Sequence, residues 1–359
     1  MPSENRKPID AVWRPVRDLP SECRDWTHAG AREAARRWAA ARHKLENPDI
    51  DRSLMDVWLK EQKRAFAIET GQIEGLYRLP AGITETLITE GFESVRGTHS
   101  VTAIDDATLK GLLVDQEAAL EMVFATVKNE RPMSNHVIKE WHALMTRHQE
   151  TAAGIDPFGN RKQIPLRRGD YKVRPNNPRR PDGVVHEYCP PEQVQSEMDR
   201  FLEFHRGHED LAPEVEAAWL HHEFVRIHPF QDGNGRVSRL LMAYPYIKAG
   251  EFPPVIHADD KPAYLAALQL ADKGNFRAFV DYLGIRGELR CSDATLRAEQ
   301  VFSGDQVMLH ANGGVTNKGV YYPPEPQPGE GQEPVLGRNR NDPDDPFAIP
   351  DPSRPPRPW

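Results

Sequence analysis

His228-Pro-Phe-Gln-Asp-Gly-Asn-Gly-Arg-Val-Ser-Arg239 is the stretch on which the reading of this chain turns. Ahead of it, residues 213–227 place Ala217, Leu220, Phe224 and Ile227 on one stripe, so the spacing predicts a core helix ending near His228 and Pro229. A tight Asp232-Gly-Asn-Gly turn follows, and a second helix starting near Arg236 carries Leu240, Leu241 and Tyr244 inward. Such a helix, loop, helix unit gathers unpaired backbone N–H groups and the positive end of a helix dipole, which suits a phosphate. Gly233 and Gly235 let that phosphate come close. Arg236 and Arg239, three residues apart, share a helix face and can both reach the anion. Asp232 offers the hard oxygen that Mg²⁺ takes, and Asn234 can donate to a phosphate oxygen. His228, with an ordinary histidine pKa of ~6.5, is a competent base near neutrality. Each residue alone has an innocent explanation as a turn, a solvated face or a structural histidine. Set at fixed spacing within twelve residues, they favour function.

Working outward, residues 51–68 place Leu54, Trp58, Ala65 and Ile68 at helical spacing, and residues 106–150 form a second helical block. Between residues 154 and 191, Gly, Pro, Asn and Asp punctuate short extended runs, Tyr171-Lys172-Val173 and Val184-Val185-His186, which predicts a β-hairpin with an exposed basic tip at 176–183. Helices resume over 192–205, 213–227, 236–249, 261–272 and 275–283. The fold class is mainly α: a helical bundle with one hairpin. Residues 323–358 hold twelve prolines and few large apolar side chains, so this tail is expected to be disordered, as a solubilising or tethering extension. The domains expected are a helical N-terminal region at 1–100, a catalytic unit at 105–290 and a C-terminal extension at 291–359, mostly disordered from 323.

Composition narrows the classes of partner. The 359 residues leave room for about two units at roughly 100–200 residues each. A formal charge of −8 gives no global basic field, so nucleic acid is not the expected partner. The start of the chain lacks an apolar signal region, and the longest wholly apolar run, residues 240–247, is interrupted by Pro245, so no membrane span is expected. Cys23, Cys189 and Cys291 form no C-x-x-C pair, which fits a reducing cytoplasm and suggests neither a disulfide framework nor a thiolate metal site.

The stretch from 228 to 239 resembles the signature of the Fic (Fido) family, H-x-F-x-[DE]-G-N-G-R-x-x-R, with every specified position matched. The resemblance extends weakly over residues 110–285, through I-K-E-W-H at 138–142, the hairpin, G-E-F-P-P at 250–254 and residues 264–275. It implies a Fic-type helical core whose activity is protein adenylyl transfer: a target Ser, Thr or Tyr hydroxyl attacks the α-phosphate of ATP and pyrophosphate leaves. By position it implies His228 as general base, Asp232 as Mg²⁺ ligand and Gly233, Asn234 and Gly235 as phosphate cradle. Arg236 and Arg239 would bind the outer phosphates, with Val237 and Ser238 in the same nucleotide-binding stretch. Phe230 is implied as an apolar anchor. The hairpin becomes a flap that aligns a target segment by strand addition, with Val184, Val185 and His186 near the nucleotide, and Tyr264 and Leu265 look like adenine-side contacts. A phosphorylating branch of the family carries Ala and Lys at the two motif glycines, so Gly233 and Gly235 favour nucleotidyl transfer.

Upstream, Thr70-Gly-Gln-Ile-Glu-Gly75 resembles the family's inhibitory pattern [ST]-x-x-x-E-[GN]. It implies that Glu74 pairs with Arg239 and keeps it from the γ-phosphate. In some relatives this glutamate positions water to remove AMP, so de-AMPylation is an alternative, as is transfer of another nucleotide. Self-modification is a further expectation. Two other classes compete. Five histidines between 205 and 228 suggest a zinc hydrolase, but no H-E-x-x-H occurs. A non-catalytic, nucleotide-responsive regulator would not need both His228 and Asp232.

Overall fold

The computed structural model describes residues 12–95, 104–155, 160–179, 183–208, 210–303, 307–309, 315–317 and 320–322. In chain order the helices are α1 (Ala29–Leu45), α2 (Ser53–Ile73), α3 (Ala81–Glu90), α4 (Asp106–Lys128) and α5 (Asn135–Met145). The antiparallel strands β1 (Thr151–Ile155) and β2 (Arg161–Pro165) come next, then α6 (Val194–Arg206), α7 (Pro213–Ile227), α8 (Asn234–Lys248), α9 (Lys261–Asp272) and α10 (Arg277–Ser303). Three short strands close the described chain: β3 (Val307–Leu309), β4 (Val315–Asn317) and β5 (Val320–Tyr322), paired as an antiparallel meander. The architecture is mainly α, as the sequence predicts.

Local signals set the helix starts. Asp105 accepts from the backbone N–H of Thr108 at the head of α4, and Ser134 does the same for Val137 at α5. Pro213 occupies the first turn of α7, where its missing N–H costs nothing. The helices α7 and α8 form the central antiparallel pair, and almost every side chain on α8 from Arg236 to Ile247 is buried. Around that pair, α2, α4, α5, α6, α9 and α10 contribute to one core that includes Phe66, Trp141, Phe201, Phe224 and Phe279.

Two expectations need correction here. The hairpin is formed by β1 and β2, in register from Thr151 opposite Pro165 to Ile155 opposite Arg161. The runs at 171–173 and 184–186 instead belong to an irregular loop, held by single bridges from Tyr171 to Phe230 and from Arg179 to Val185. Prolines at 175 and 178 remove the donors a ladder would need there. The last helix runs to Ser303, not to 283. Its second half buries small residues, Cys291, Ala294 and Ala298, against Ala34, Trp38 and Ala41 of α1, a stripe that large-residue periodicity misses. The expected disorder of the tail falls at 323–359, outside the described residues. Among the described residues no helix is long and apolar enough to cross a membrane.

The helix α2 also outruns its predicted end and stops at a Schellman turn. Gly75 takes φ +71°, its N–H donates to Gln72 O at 3.0 Å, and Leu76 N–H donates to Gly71 O at 3.1 Å. Returning from that turn, Tyr77 packs its ring over Gly71 and donates to the carbonyls of Ala67 and Ile68 at 3.3 and 3.2 Å. A Cβ on residue 71 would overlap that ring, whose hydroxyl is also 3.2 Å from Gln116 Nε2. Gly71→Val should therefore push Tyr77 out and lower stability by about 1–3 kcal/mol. A urea titration against the unaltered chain checks it; an unchanged midpoint would show that the last turn of α2 does not depend on this contact.

Candidate active site

The loop between α7 and α8 is tied from within. His228 ends α7 in the left-handed region, at φ 52° and ψ 57°, a conformation that costs a non-glycine residue about 1–3 kcal/mol. Phe230 is fully buried and stacks on His142, with ring centroids 3.8 Å apart and planes 5° from parallel. Asn234 closes the turn: its Oδ1 accepts from Phe230 N–H and its Nδ2 donates to Phe230 O, both at 2.8 Å. The Asn234 side chain is thus committed to the loop. The side chain expected to donate to a phosphate is already bound within the loop through Oδ1 and one Nδ2 hydrogen. Val237 and Ser238 also point inward: both are fully buried, and Ser238 Oγ donates to Gly235 O at 2.8 Å.

His142 was not among the sequence candidates, although it lies in the quoted I-K-E-W-H run. Gly169 N–H donates to His142 Nδ1 at 2.9 Å, so Nε2 carries the proton and donates to Asp232 O at 3.0 Å. Burial pushes this histidine down to about 4, which keeps the neutral tautomer that the two bonds require. Gln149, for which the sequence gave no signal, donates from Nε2 to Asp232 Oδ2 and accepts at Oε1 from Arg236 Nη2, each at 2.6 Å. Gly233 N–H donates to Asp232 Oδ1 at 2.7 Å.

The base candidate has one nitrogen fixed. His228 Nδ1 faces Val225 O at 3.2 Å, and a carbonyl can only accept, so the proton sits on Nδ1 and Nε2 keeps its lone pair. Tyr188 stacks on the other side of the ring at 3.8 Å and 7°. Burial, and then the Lys172 ammonium, push His228 down to about 3. Lys172 is itself 4% exposed, donates to Asn176 Oδ1 at 2.8 Å and is brought down to about 8 by burial. Neither Tyr188 nor Lys172 stands near the motif in sequence, and only the folded loop brings them to it.

Positive charge dominates the floor of the site. Arg236 and Arg239 are 1% and 2% exposed at the start of α8. Arg236 reaches Gln149, and Asp232 only at 3.9 Å, which leaves its Nε and Nη1 without a partner among the described residues. Arg239 Nη2 donates to Glu74 Oε1 at 2.7 Å and to Thr70 O at 3.2 Å. Burial opposes the Arg239 charge, but Glu74 and Tyr264 outweigh it and raise its pKa. The Glu74 carboxylate also fills the space over Gly235: a Cβ there would stand 2.9 Å from its Cδ. A side-chain anion thus occupies the N-terminal cradle of α8.

The remaining predicted residues are dispersed. His186 sits edge-on to Tyr188 at 4.8 Å, one ring removed from His228, and Val184 and Val185 are half-buried in the same loop. Tyr264 is buried, with its hydroxyl 2.6 Å from His221 Nε2, so it braces the wall behind Arg239 and offers no open face to a base. Leu265, 40% exposed, is the accessible one of the two.

The chain is similar to known proteins in sequence and in fold. Residues 132–246 match the model of the Fic/DOC family. A protein adenylyltransferase Fic of Nematostella vectensis is 35% identical over 118 residues, which are 32% of this chain and 26% of that protein. One of Drosophila persimilis is 41% identical over 86 residues, 24% of this chain and 16% of its own length. This chain thus matches about a quarter or less of the length of these curated relatives. The crystal structure of a Fic domain containing signaling protein from Bacteroides thetaiotaomicron aligns with TM-score 0.60 and 24% identity, covering 76% of this chain and 97% of that one, a likeness of fold. Over residues 132–246 the chain is thus similar in sequence to the Fic/DOC family, and its fold is like that of a Fic domain containing protein.

Proposed function

We propose that this chain transfers AMP from ATP to a Ser, Thr or Tyr hydroxyl of a protein, and that Glu74 restrains it. The observation that carries this reading is the buried Arg236 guanidinium at the head of α8, with Nε and Nη1 unpaired among the described residues, in the same motif as a histidine whose Nε2 keeps its lone pair. Asp232 at 3.9 Å pairs this buried cation only weakly, and an under-paired buried charge is costly until a further anion joins it. The triphosphate of ATP supplies one.

The nucleotide's phosphates would lie against the N–H groups of Asn234, Gly235 and Arg236, with both arginines on the outer phosphates. His228 Nε2 takes the proton of the target hydroxyl as its oxygen attacks the α-phosphorus. The bond from that phosphorus to the bridging oxygen breaks, and pyrophosphate leaves. An imidazole at about 3 is a weak base in the free protein; phosphate charge brought beside it favours the imidazolium and strengthens it. Asp232 suits Mg²⁺: its carboxylate is partly exposed and keeps lone pairs beyond the bonds from Gly233 and Gln149. One carboxylate plus substrate phosphates is the usual holding set, and the ion there would neutralise charge on the phosphates. Among the described residues no three His, Cys, Asp or Glu gather to bind a metal, which leaves Asp232 as the protein's contribution.

Glu74 restrains the reaction by holding Arg239 and by filling the cradle over Gly235. The target segment docks on the loop at 171–188, and the chain can serve as its own target. The reducing cytoplasm is the proposed compartment, supported by three buried free thiols.

With Mg²⁺ and α-labelled ATP, Glu74→Gly should label itself or lysate proteins at least about tenfold more than the unaltered chain, a ratio that needs only ~1.4 kcal/mol. On that background, His228→Ala and Arg239→Ala should lose the label. If Glu74→Gly takes up no label from any nucleoside triphosphate, AMP transfer is wrong; if His228→Ala labels equally well, the base is misassigned. In the nucleotide-free protein, the His228 ring resonances should stay at their neutral positions from pH 8 down to about pH 5, where an ordinary histidine at ~6.5 would be charged. A titration midpoint near 6.5 would remove the buried neutral base. The folded pKa lies below the unfolded one, so the contribution of His228 to stability is complete above ~6.5 and is lost as pH falls towards about 3.

A further inference from the structure

The chain carries a formal charge of −8, yet residues 160–179 hold seven Lys or Arg and one carboxylate, Asp170. Lys162, Arg167, Arg168, Arg174 and Arg179 are exposed. Arg167 and Arg168 are bonded beside the motif loop, and Arg174 lies between Lys172 and Asn176, which bond to Pro229 and Phe230. Arg167 N–H donates to Gln231 Oε1 at 3.2 Å, and Gln231 Nε2 returns to Pro165 O at 3.3 Å. The Arg168 guanidinium donates twice to Gln149 O, at 3.0 and 3.1 Å, and the Gln149 side chain holds Asp232. Further along, Arg174 follows Val173, which is 62% exposed, and Arg179 forms the bridge to Val185. Two exposed carboxylates share the rim: Asp170, 3.3 Å from Arg167, and Glu150.

We propose that the hydroxyl accepted at this site lies in an acidic segment of the target, whose carboxylates are read by Arg167, Arg168, Arg174 and Arg179 while Val173 meets an apolar side chain. The assignment of the hydroxyl rests on the transferase reading; the binding of an acidic peptide does not. An acidic chain repels acidic partners at a distance, so a local cationic rim decides which segments can approach. Each exposed pair is weak and salt-screened, and several acting together select. A nucleic acid backbone would feel the same field, but a single strand also needs exposed rings to stack on. The rings here, Tyr171 and Tyr188, are half-buried against Phe230 and His228.

The test is fluorescence anisotropy on the full chain, with a short peptide bearing one tyrosine between runs of Asp and Glu, and the same peptide with Asn and Gln instead. The acidic peptide should bind at least about tenfold tighter in low salt and lose that margin as salt rises. Arg174→Glu with Arg179→Glu should abolish the margin. Arg174→Gln with Arg179→Gln should reduce it, with circular dichroism reporting that each variant is folded. Equal binding of both peptides, or a margin that survives the double charge reversal in a folded protein, overturns the proposal. So does a labelled oligonucleotide that outcompetes the acidic peptide and is released by the same reversal. Label transfer by Glu74→Gly is read separately: its failure with acidic binding intact strikes the transferase reading and leaves the surface standing.

Discussion

The chain reversal between α7 and α8 is the constraint on which the rest of the site depends. It is made by a histidine forced into the left-handed region and by an asparagine that closes a ring of two hydrogen bonds on the backbone of Phe230. Phe230, pressed flat on His142, turns that ring into part of the core. Because the loop cannot relax, the imidazole, the Asp232 carboxylate and the first turn of α8 keep fixed relations. The strain at His228 persists because the Tyr188 stack on its ring and the Val225 carbonyl at its Nδ1 over-determine it.

A second constraint follows from charge. Two buried guanidinium groups meet at a helix N-terminus, an arrangement that calls for an anion to face. Glu74 fills that role in part, taking Arg239 and the space over Gly235 and leaving Arg236 unsatisfied. The carboxylate is a fixed part of the fold. Its helix, α2, contributes to all three apolar clusters, so the contact is set by packing along its whole length. Freeing Arg239 means rotating one side chain at a helix end or withdrawing the last turn; undocking α2 would expose much of the core.

The irregular segments 171–179 and 183–188 are fastened at several points. Lys172 N–H donates to Pro229 O at 2.8 Å, Asn176 donates to Phe230 O at 2.9 Å, and Asn177 accepts from Tyr188 N–H at 2.9 Å. These bonds set Tyr188 on the His228 ring and bring a buried ammonium near it, so the electrostatic state of the base is decided by a segment some 40–57 residues away in the chain. The same segment presents Arg174 and Arg179 outward, so one stretch of chain both fixes the surroundings of His228 and carries exposed positive charge.

The motif and the two helices around it were legible in the sequence because their signals are local: an apolar stripe, a proline at a helix start, glycines where backbone must turn. The partnership of Glu74 with Arg239, 165 residues apart, was legible only through resemblance, since a short acidic pattern has no physical reach by itself. The inward fate of Asn234, Val237, Ser238 and Tyr264 was not legible, because spacing along a helix says which residues share a face and not what that face meets. Nor were His142, Gln149, Lys172 and Tyr188, whose roles exist only as contacts between distant segments. By itself the sequence determined which atoms can hold a phosphate and accept a proton. Only the tertiary structure decided which remain free to do so, because a donor spent on a neighbour is lost to a ligand, and neighbours are assigned by packing.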